Sequence, residues 1–202
     1  MDISLFARGF LLGFSIAAVV GPIALLCVRR TLATGFVIGF ASGLGAATAD
    51  ASYAAIASFG VTALASVLID QRMWLRLVGG AFLIYLGVRA LRSLPASPAP
   101  DSGATGLRLA GAYSSTVGLT LSNPMTIMSF AAIFAGIGAS GLDLVVGVFA
   151  GSAAWWLVLA SLVSRLRTRV THRRLRWVNI ASGALIVGFG IESVVAGVLQ
   201  TN

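Results

Sequence analysis

"GFLLGFSIAAVVGPIALLCV" (Gly9–Val28) runs for twenty residues without a charge. Crossing the ~30 Å hydrocarbon core of a bilayer takes about 20 apolar residues as a helix, so this stretch is a candidate membrane span. It is longer than the apolar core of a cleaved signal and carries a proline in mid-segment, which argues against a leader peptide. Five comparable stretches follow. The second starts near Phe36 and runs past Phe59, interrupted only by Asp50. The third is Met73–Leu91, with Arg76 and Arg89 near its ends, where long side chains reach the interface. The fourth lies within the uncharged stretch Leu109–Leu142, at about Ser115–Ile137. The fifth is Leu144–Ser164, and the sixth is Trp177–Leu199, with Glu192 towards its end.

Composition agrees with six spans. The 202 residues are 58% hydrophobic and 10% charged, with a mean hydropathy of +0.97. A soluble domain carries about 25% charged residues, so this chain cannot cover a water-facing surface. Disorder is excluded by the apolar content. A lipid-facing β-barrel needs alternating segments of about ten residues, and these runs do not alternate. The expected fold is an all-α membrane protein.

The net charge of +8 comes from fourteen arginines and no lysine, against five aspartates and one glutamate. The arginines sit in the gaps between apolar runs, which reads as topology determination rather than nucleic-acid binding. Loops after spans one, three and five hold eleven of them, among them Arg29, Arg30 and the cluster Arg165–Arg176. The other side holds Arg8, Arg72 and Arg76. The positive-inside rule therefore places both termini outside. The lone cysteine, Cys27, excludes an internal disulfide or a cysteine-rich metal site and reads as a small buried hydrophobe.

The segment "SLPASPAPDSGATG" (Ser93–Gly106) is a polar, proline-rich linker. It divides the chain into a first three-helix unit (1–92), a linker (93–108) and a second three-helix unit (109–202). The units resemble each other: "GAFLIYLG" (Gly80–Gly87) aligns with "GALIVGFG" (Gly183–Gly190) 103 residues later, and Pro22 with Pro124 at 102. Three spans per unit would insert the two copies with opposite orientation, an arrangement common in secondary transporters.

Gly21-Pro22 and Asn123-Pro124 are the most informative dipeptides. A proline inside a helix removes one backbone hydrogen bond, and in lipid such a break persists where protein or a water-filled cavity surrounds it. Matched breaks in two inverted units point to a central binding site, although a single proline kink is common in membrane helices. Asp50 stands alone in the second span, where a carboxylate costs about 2.5–3.5 kcal/mol. Either it faces a polar cavity or it spends part of its time protonated. Both states suit a proton carrier or a partner for a substrate ammonium group; the bland alternative is a neutral acid bonding two helices. Tyr53, one turn on, would supply a hydroxyl or a ring for a cation. On the 102-residue offset Asp50 maps to Ser152 and Tyr53 to Trp155.

Trp155-Trp156 reads equally as cavity lining or packing, and Glu192 better as an interface residue than as a site. Gly35, Gly39 and Gly43, like Gly147 and Gly151, have the spacing of close helix packing, and such seams admit a homodimer. His172 lies among arginines and reads as solvated; its loop would touch anionic lipid headgroups. No phosphate-binding loop, H-E-x-x-H or Ser/His/Asp set is present. Neither an enzyme nor a cofactor or metal site is expected.

"GPIALLCVRRTLATGFVIGFASGLGAATADASYA" (Gly21–Ala54) and "LRLVGGAFLIYLGVRAL" resemble the first half of lysine exporter (LysE/RhtB) family proteins. "LTLSNPMTIMSFAAIFAGIG" and "GVFAGSAAWWLVLA" resemble their second half. The resemblance implies a secondary transporter that exports amino acids or their derivatives across the bacterial inner membrane, driven by the proton motive force. Gly21-Pro22 matches the family's Pro-Gly-Pro element and Asn123-Pro124 its Asn-Pro element; Asp50 matches an acidic position found in part of the family. Val20 and Met125 depart from the pattern, where relatives carry a proline and often a lysine. The expected substrate contacts are Gly21, Pro22, Asp50, Tyr53, Asn123, Pro124 and Trp155, with Asp50 also expected to couple protons. A passive channel, or export of another small metabolite, is the competing reading.

Overall fold

The computed structural model describes residues 2–19, 21–59, 72–92, 106–123, 126, 129–130, 141–167 and 172–199. Pro124, Val20, Met125 and nearly all of the linker lie outside the described residues, as does the side chain of His172. Among those described, the secondary structure is helical throughout: α1 (Ile3–Ala18), α2 (Pro22–Thr34), α3 (Phe36–Ser58), α4 (Arg72–Arg92), α5 (Gly106–Leu121), α6 (Leu142–Arg167) and α7 (His172–Leu199). The α6 helix and the Arg176–Leu199 part of α7 are each long and apolar enough to cross a membrane, as are α1 and α2 taken together.

The break expected at Gly21-Pro22 in the first span is present: α1 ends at Ala18, α2 starts at Pro22, and the two helices bend by 78°. Gly21 caps α2 in an extended conformation and Pro22 takes its first position, where a missing N–H costs nothing. The fourth span is broken at Asn123-Pro124 as expected: α5 begins at Gly106, ahead of Arg108, and ends at Leu121, because the residue before a proline is driven out of helical geometry. Residues 126 and 129–130 are helical again, and most of the second half of the span lies outside the described residues. The second, third, fifth and sixth spans fall on α3, α4, α6 and α7.

Glycine sets how closely these helices approach. In the α1–α6 seam, a Cβ at Gly9 or Gly13 would run into the carbonyls of Leu144 or Val148, and one at Gly147 or Gly151 into those of Phe6 or Phe10. The α4 and α7 helices cross with Gly80 against Gly190 and Gly87 against Gly183. On α3, Gly39 faces Thr31 and Gly43 faces Trp156. These glycines pack helix against helix within the chain. Gly35, with φ at 100°, reverses the chain between α2 and α3, a conformation that favours glycine.

The interior mixes large apolar side chains such as Leu26, Phe130, Leu144 and Ile186 with small or hydroxyl-bearing ones such as Ala47, Ala49, Ser42, Thr116 and Ser152, while Leu11, Val78, Leu157, Leu162, Leu185 and Val195 face outward. Large apolar side chains on the outside suit lipid as the surrounding medium.

Candidate functional site

The α1–α2 break, the middle of α3 and the end of α5 surround a cavity of about 450 Å³. That volume is in the range of sites for small molecules. Gly21, Pro22, Asp50 and Asn123 all line it. Tyr53 and Trp155 do not, and Pro124 lies outside the described residues.

Asp50 is 4% exposed. Its Oδ2 accepts a hydrogen bond from Ser152 Oγ at 2.7 Å, so the two positions that correspond on the 102-residue offset touch each other across α3 and α6. No cation pairs with Asp50 among the described residues, and Ser152 is its one hydrogen-bond partner there.

The start of α2 supplies the opposite polarity. Gly21 offers no side-chain cap, and the first helical hydrogen bond is donated by Leu25 to the Gly21 carbonyl at 3.1 Å. The N–H groups of Ile23 and Ala24 therefore have no partner within the helix. Both residues line the cavity, and a helix N-terminus favours an anion. One end of the cavity thus suits a carboxylate and Asp50 suits an ammonium group.

Two further lining residues hold hydrogen-bonding groups that find no partner among the described residues: Trp156 Nε1 and Thr120 Oγ1. Both side chains are buried. Buried polar groups are normally paired; both atoms are enclosed here, so a bound molecule reaches them only once the wall around them shifts. Ser15, Ser129 and Phe189 also contribute, and Glu192 adds a second carboxylate from α7.

Tyr53 instead holds the helix break in place. Its hydroxyl donates to the Leu121 carbonyl at 2.5 Å, an acceptor freed where α5 stops, and its ring stacks on Phe130 with centroids 5.7 Å apart. Trp155 packs edge-on against Phe14, 5.4 Å between centroids. Of the two adjacent tryptophans it is Trp156 that lines the cavity. Glu192 is exposed, as expected of an interface residue, yet also reaches the cavity; its one sequence signal was a lone acid in an apolar run. Nothing in the sequence marked Thr120. Among the described residues no group of three His, Cys, Asp or Glu could hold a metal ion.

Helices with an apolar exterior, long enough to cross a bilayer, around a cavity that sets a few polar groups in a mostly apolar wall define a membrane protein. The LysE type translocator family matches residues 14–197, and the chain belongs to that family. It is 26% identical over 209 residues to "Putative amino acid efflux protein YcgF" of Bacillus subtilis, covering 98% of both chains. It is 29% identical over 144 residues to the "Threonine efflux protein" of Escherichia coli, covering 64% of this chain and 70% of that one. No solved structure matches.

Proposed function

We propose that this protein is a secondary transporter that exports an amino acid or a derivative across the bacterial inner membrane, driven by the proton motive force. The observation that carries this reading is the cavity, which sets an uncapped helix N-terminus and a buried carboxylate around a space of amino-acid size. The substrate α-carboxylate sits at the start of α2 beside Gly21 and Pro22. Its ammonium group binds Asp50, and Asn123 and Trp156 Nε1 add polar contacts. Tyr53 and Trp155 act by holding the walls, and Pro124 by ending α5. The relatives named for amino acid and threonine efflux support the substrate class.

In this reading the chain crosses the membrane six times, with α1 and α2 forming one broken span and both termini outside. The two three-helix units are inverted copies. The Asp50–Ser152 contact supports this, since a two-fold axis brings corresponding positions together there. So do the reciprocal pairs Gly80–Gly190 and Gly87–Gly183, which interchange under the 103-residue offset of the two aligned segments. Asp50 takes up a proton when the substrate leaves, and the units rock about this point to expose the cavity to either side. Lipid fills the apolar exterior. No step requires a cofactor.

The test is efflux from proteoliposomes loaded with labelled amino acids, with and without an imposed proton gradient. Asp50→Asn keeps the size and the capacity to accept from Ser152 but removes charge and titration. It is expected to lower gradient-driven efflux about tenfold or more, the factor corresponding to loss of one hydrogen bond to a charged group. Unchanged efflux and affinity in that variant would remove Asp50 from the mechanism.

A further inference from the structure

Arg30 makes four side-chain hydrogen bonds, and it does not line the cavity. From α2 its Nη1 donates to Ser42 Oγ on α3 at 2.9 Å, and to the Ala112 carbonyl (2.9 Å) and Thr116 Oγ1 (3.0 Å) on α5. Nη2 donates to Ser115 Oγ, also on α5, at 2.8 Å. Each of the three hydroxyls spends its own proton within its helix: Ser42 on the Ile38 carbonyl (3.0 Å), Thr116 on that of Ala112 (2.9 Å) and Ser115 on that of Gly111 (2.6 Å). They therefore present lone pairs to the guanidinium.

The acceptors are all neutral, and among the described residues no carboxylate pairs with Arg30. An ion pair desolvated in this interior would be costly to separate. Hydroxyl and carbonyl acceptors can be exchanged for water at small net cost, so this set of bonds can close and reopen.

Its position gives it a purpose. Arg30 lies eight residues beyond Pro22 on α2, and Ser42 eight before Asp50 on α3, about 12 Å along each helix at 1.5 Å per residue. The bonds tie two helices of the first unit to one of the second, at the end of the bundle away from Asp50. Cys27 lies between, 3% exposed and packed with Ala46, Ala47 and Trp156. We propose that Arg30 is a gating residue: its bonds to Ser42, Ser115 and Thr116 latch the cytoplasmic side shut, and they must release for the cavity to open there. This rests on the exporter reading and its topology.

Cys27 is the chain's one cysteine and so a native reporter of opening. The experiment measures its labelling by a membrane-impermeant maleimide in inside-out and right-side-out vesicles. Thr116→Val and Ser115→Ala each remove one acceptor without adding charge. Each is expected to speed labelling about tenfold, the factor for one bond to a charged group, and only in inside-out vesicles. Thr116→Ser keeps the hydroxyl and is expected to label at the wild-type rate. Arg30→Gln, if it folds, is expected to label fastest.

A residue that merely stabilises the bundle would lower the melting temperature and leave Cys27 labelling at 25 °C unchanged. That result in folded, monodisperse variants overturns the proposal. So does Thr116→Ser labelling as fast as Thr116→Val, or acceleration confined to right-side-out vesicles. The exporter reading fails separately, by absence of saturable amino-acid efflux in the wild-type protein, whatever the labelling shows.

Discussion

Thr116 and Thr120 sit one turn apart on α5, both buried, and differ in every bond. Thr116 donates to Ala112 and accepts from Arg30; Thr120 has no partner among the described residues. The contrast extends to their surroundings. Around Thr116 a guanidinium and three hydroxyls satisfy one another, and around Thr120 the cavity holds an open helix N-terminus, a carboxylate with one partner and an unpaired indole N–H. One end of the bundle is completed by its own side chains, and the other, in the proposed reading, is completed by the substrate. Buried polar groups without partners cost stability, and a binding site keeps that cost because the ligand relieves it.

The largest effect expected on stability lies at the closed end. Gly35 makes the reversal that brings Arg30 and Ser42 together, at φ 100° and ψ 177°. Gly35→Ala should destabilise by about 1–3 kcal/mol, seen as a lower melting temperature in detergent. An unchanged melting temperature would mean that the reversal is not strained.

The two threonines should respond with opposite sign. Thr116→Val should lose about 1 kcal/mol, whereas Thr120→Val removes an unpaired hydroxyl and should gain up to about 1 kcal/mol. Only Thr120→Val should also weaken substrate affinity. If both variants lose stability alike, Thr120 is not waiting for a ligand and the contrast collapses. Trp156→Phe sharpens the same point: deleting the indole N–H should raise the substrate concentration needed for half-maximal efflux and leave melting unchanged. An effect on melting alone would make Trp156 a packing residue.

The smallest effect lies at the start of the chain. Asp2 caps α1, accepting from the Ser4 hydroxyl at 2.7 Å and from the Ser4 and Leu5 N–H groups at 2.9 and 3.3 Å. These bonds, the hydroxyl foremost, hold its carboxyl below the usual aspartate range. A carboxyl whose folded pKa is depressed contributes stability above its unfolded pKa of about 3.9 and loses it as pH falls through the lower folded value. Asp2→Ala should therefore melt slightly earlier than wild type at pH 7, with the difference vanishing in strong acid. A difference that persists there would assign the cap to something other than the carboxylate.

How much of this was legible depended on contrast with the apolar background. Asp50 and Gly21-Pro22 interrupt otherwise uniform runs, and the structure brings both to one cavity with Asn123. Tyr53 was assigned by its spacing from Asp50, but three residues are not a whole turn, and the rotation of α3 sends its hydroxyl to Leu121 instead. Trp155 and Trp156 are equivalent as sequence; only the packing of α6 against α1 and α3 selects between them. In the fourth span the Asn123-Pro124 break was legible, but Leu109–Leu142 is uncharged for longer than a bilayer requires, so hydropathy alone could not set the start of α5 at Gly106. Arg30 was legible only as a topology charge. Its partners are serines and threonines on α3 and α5, residue types that carry no signal in a helix until the helices are packed.

The most direct measurement is gradient-driven efflux from proteoliposomes of the wild-type protein and Asp50→Asn, loaded with a panel of labelled amino acids. The expected result is saturable, trans-stimulated efflux of a subset of them, accelerated by the proton gradient and lost about tenfold or more in the variant. Efflux that neither saturates nor responds to the gradient, and is equal in both proteins, would contradict a carrier built around Asp50 and favour a passive channel.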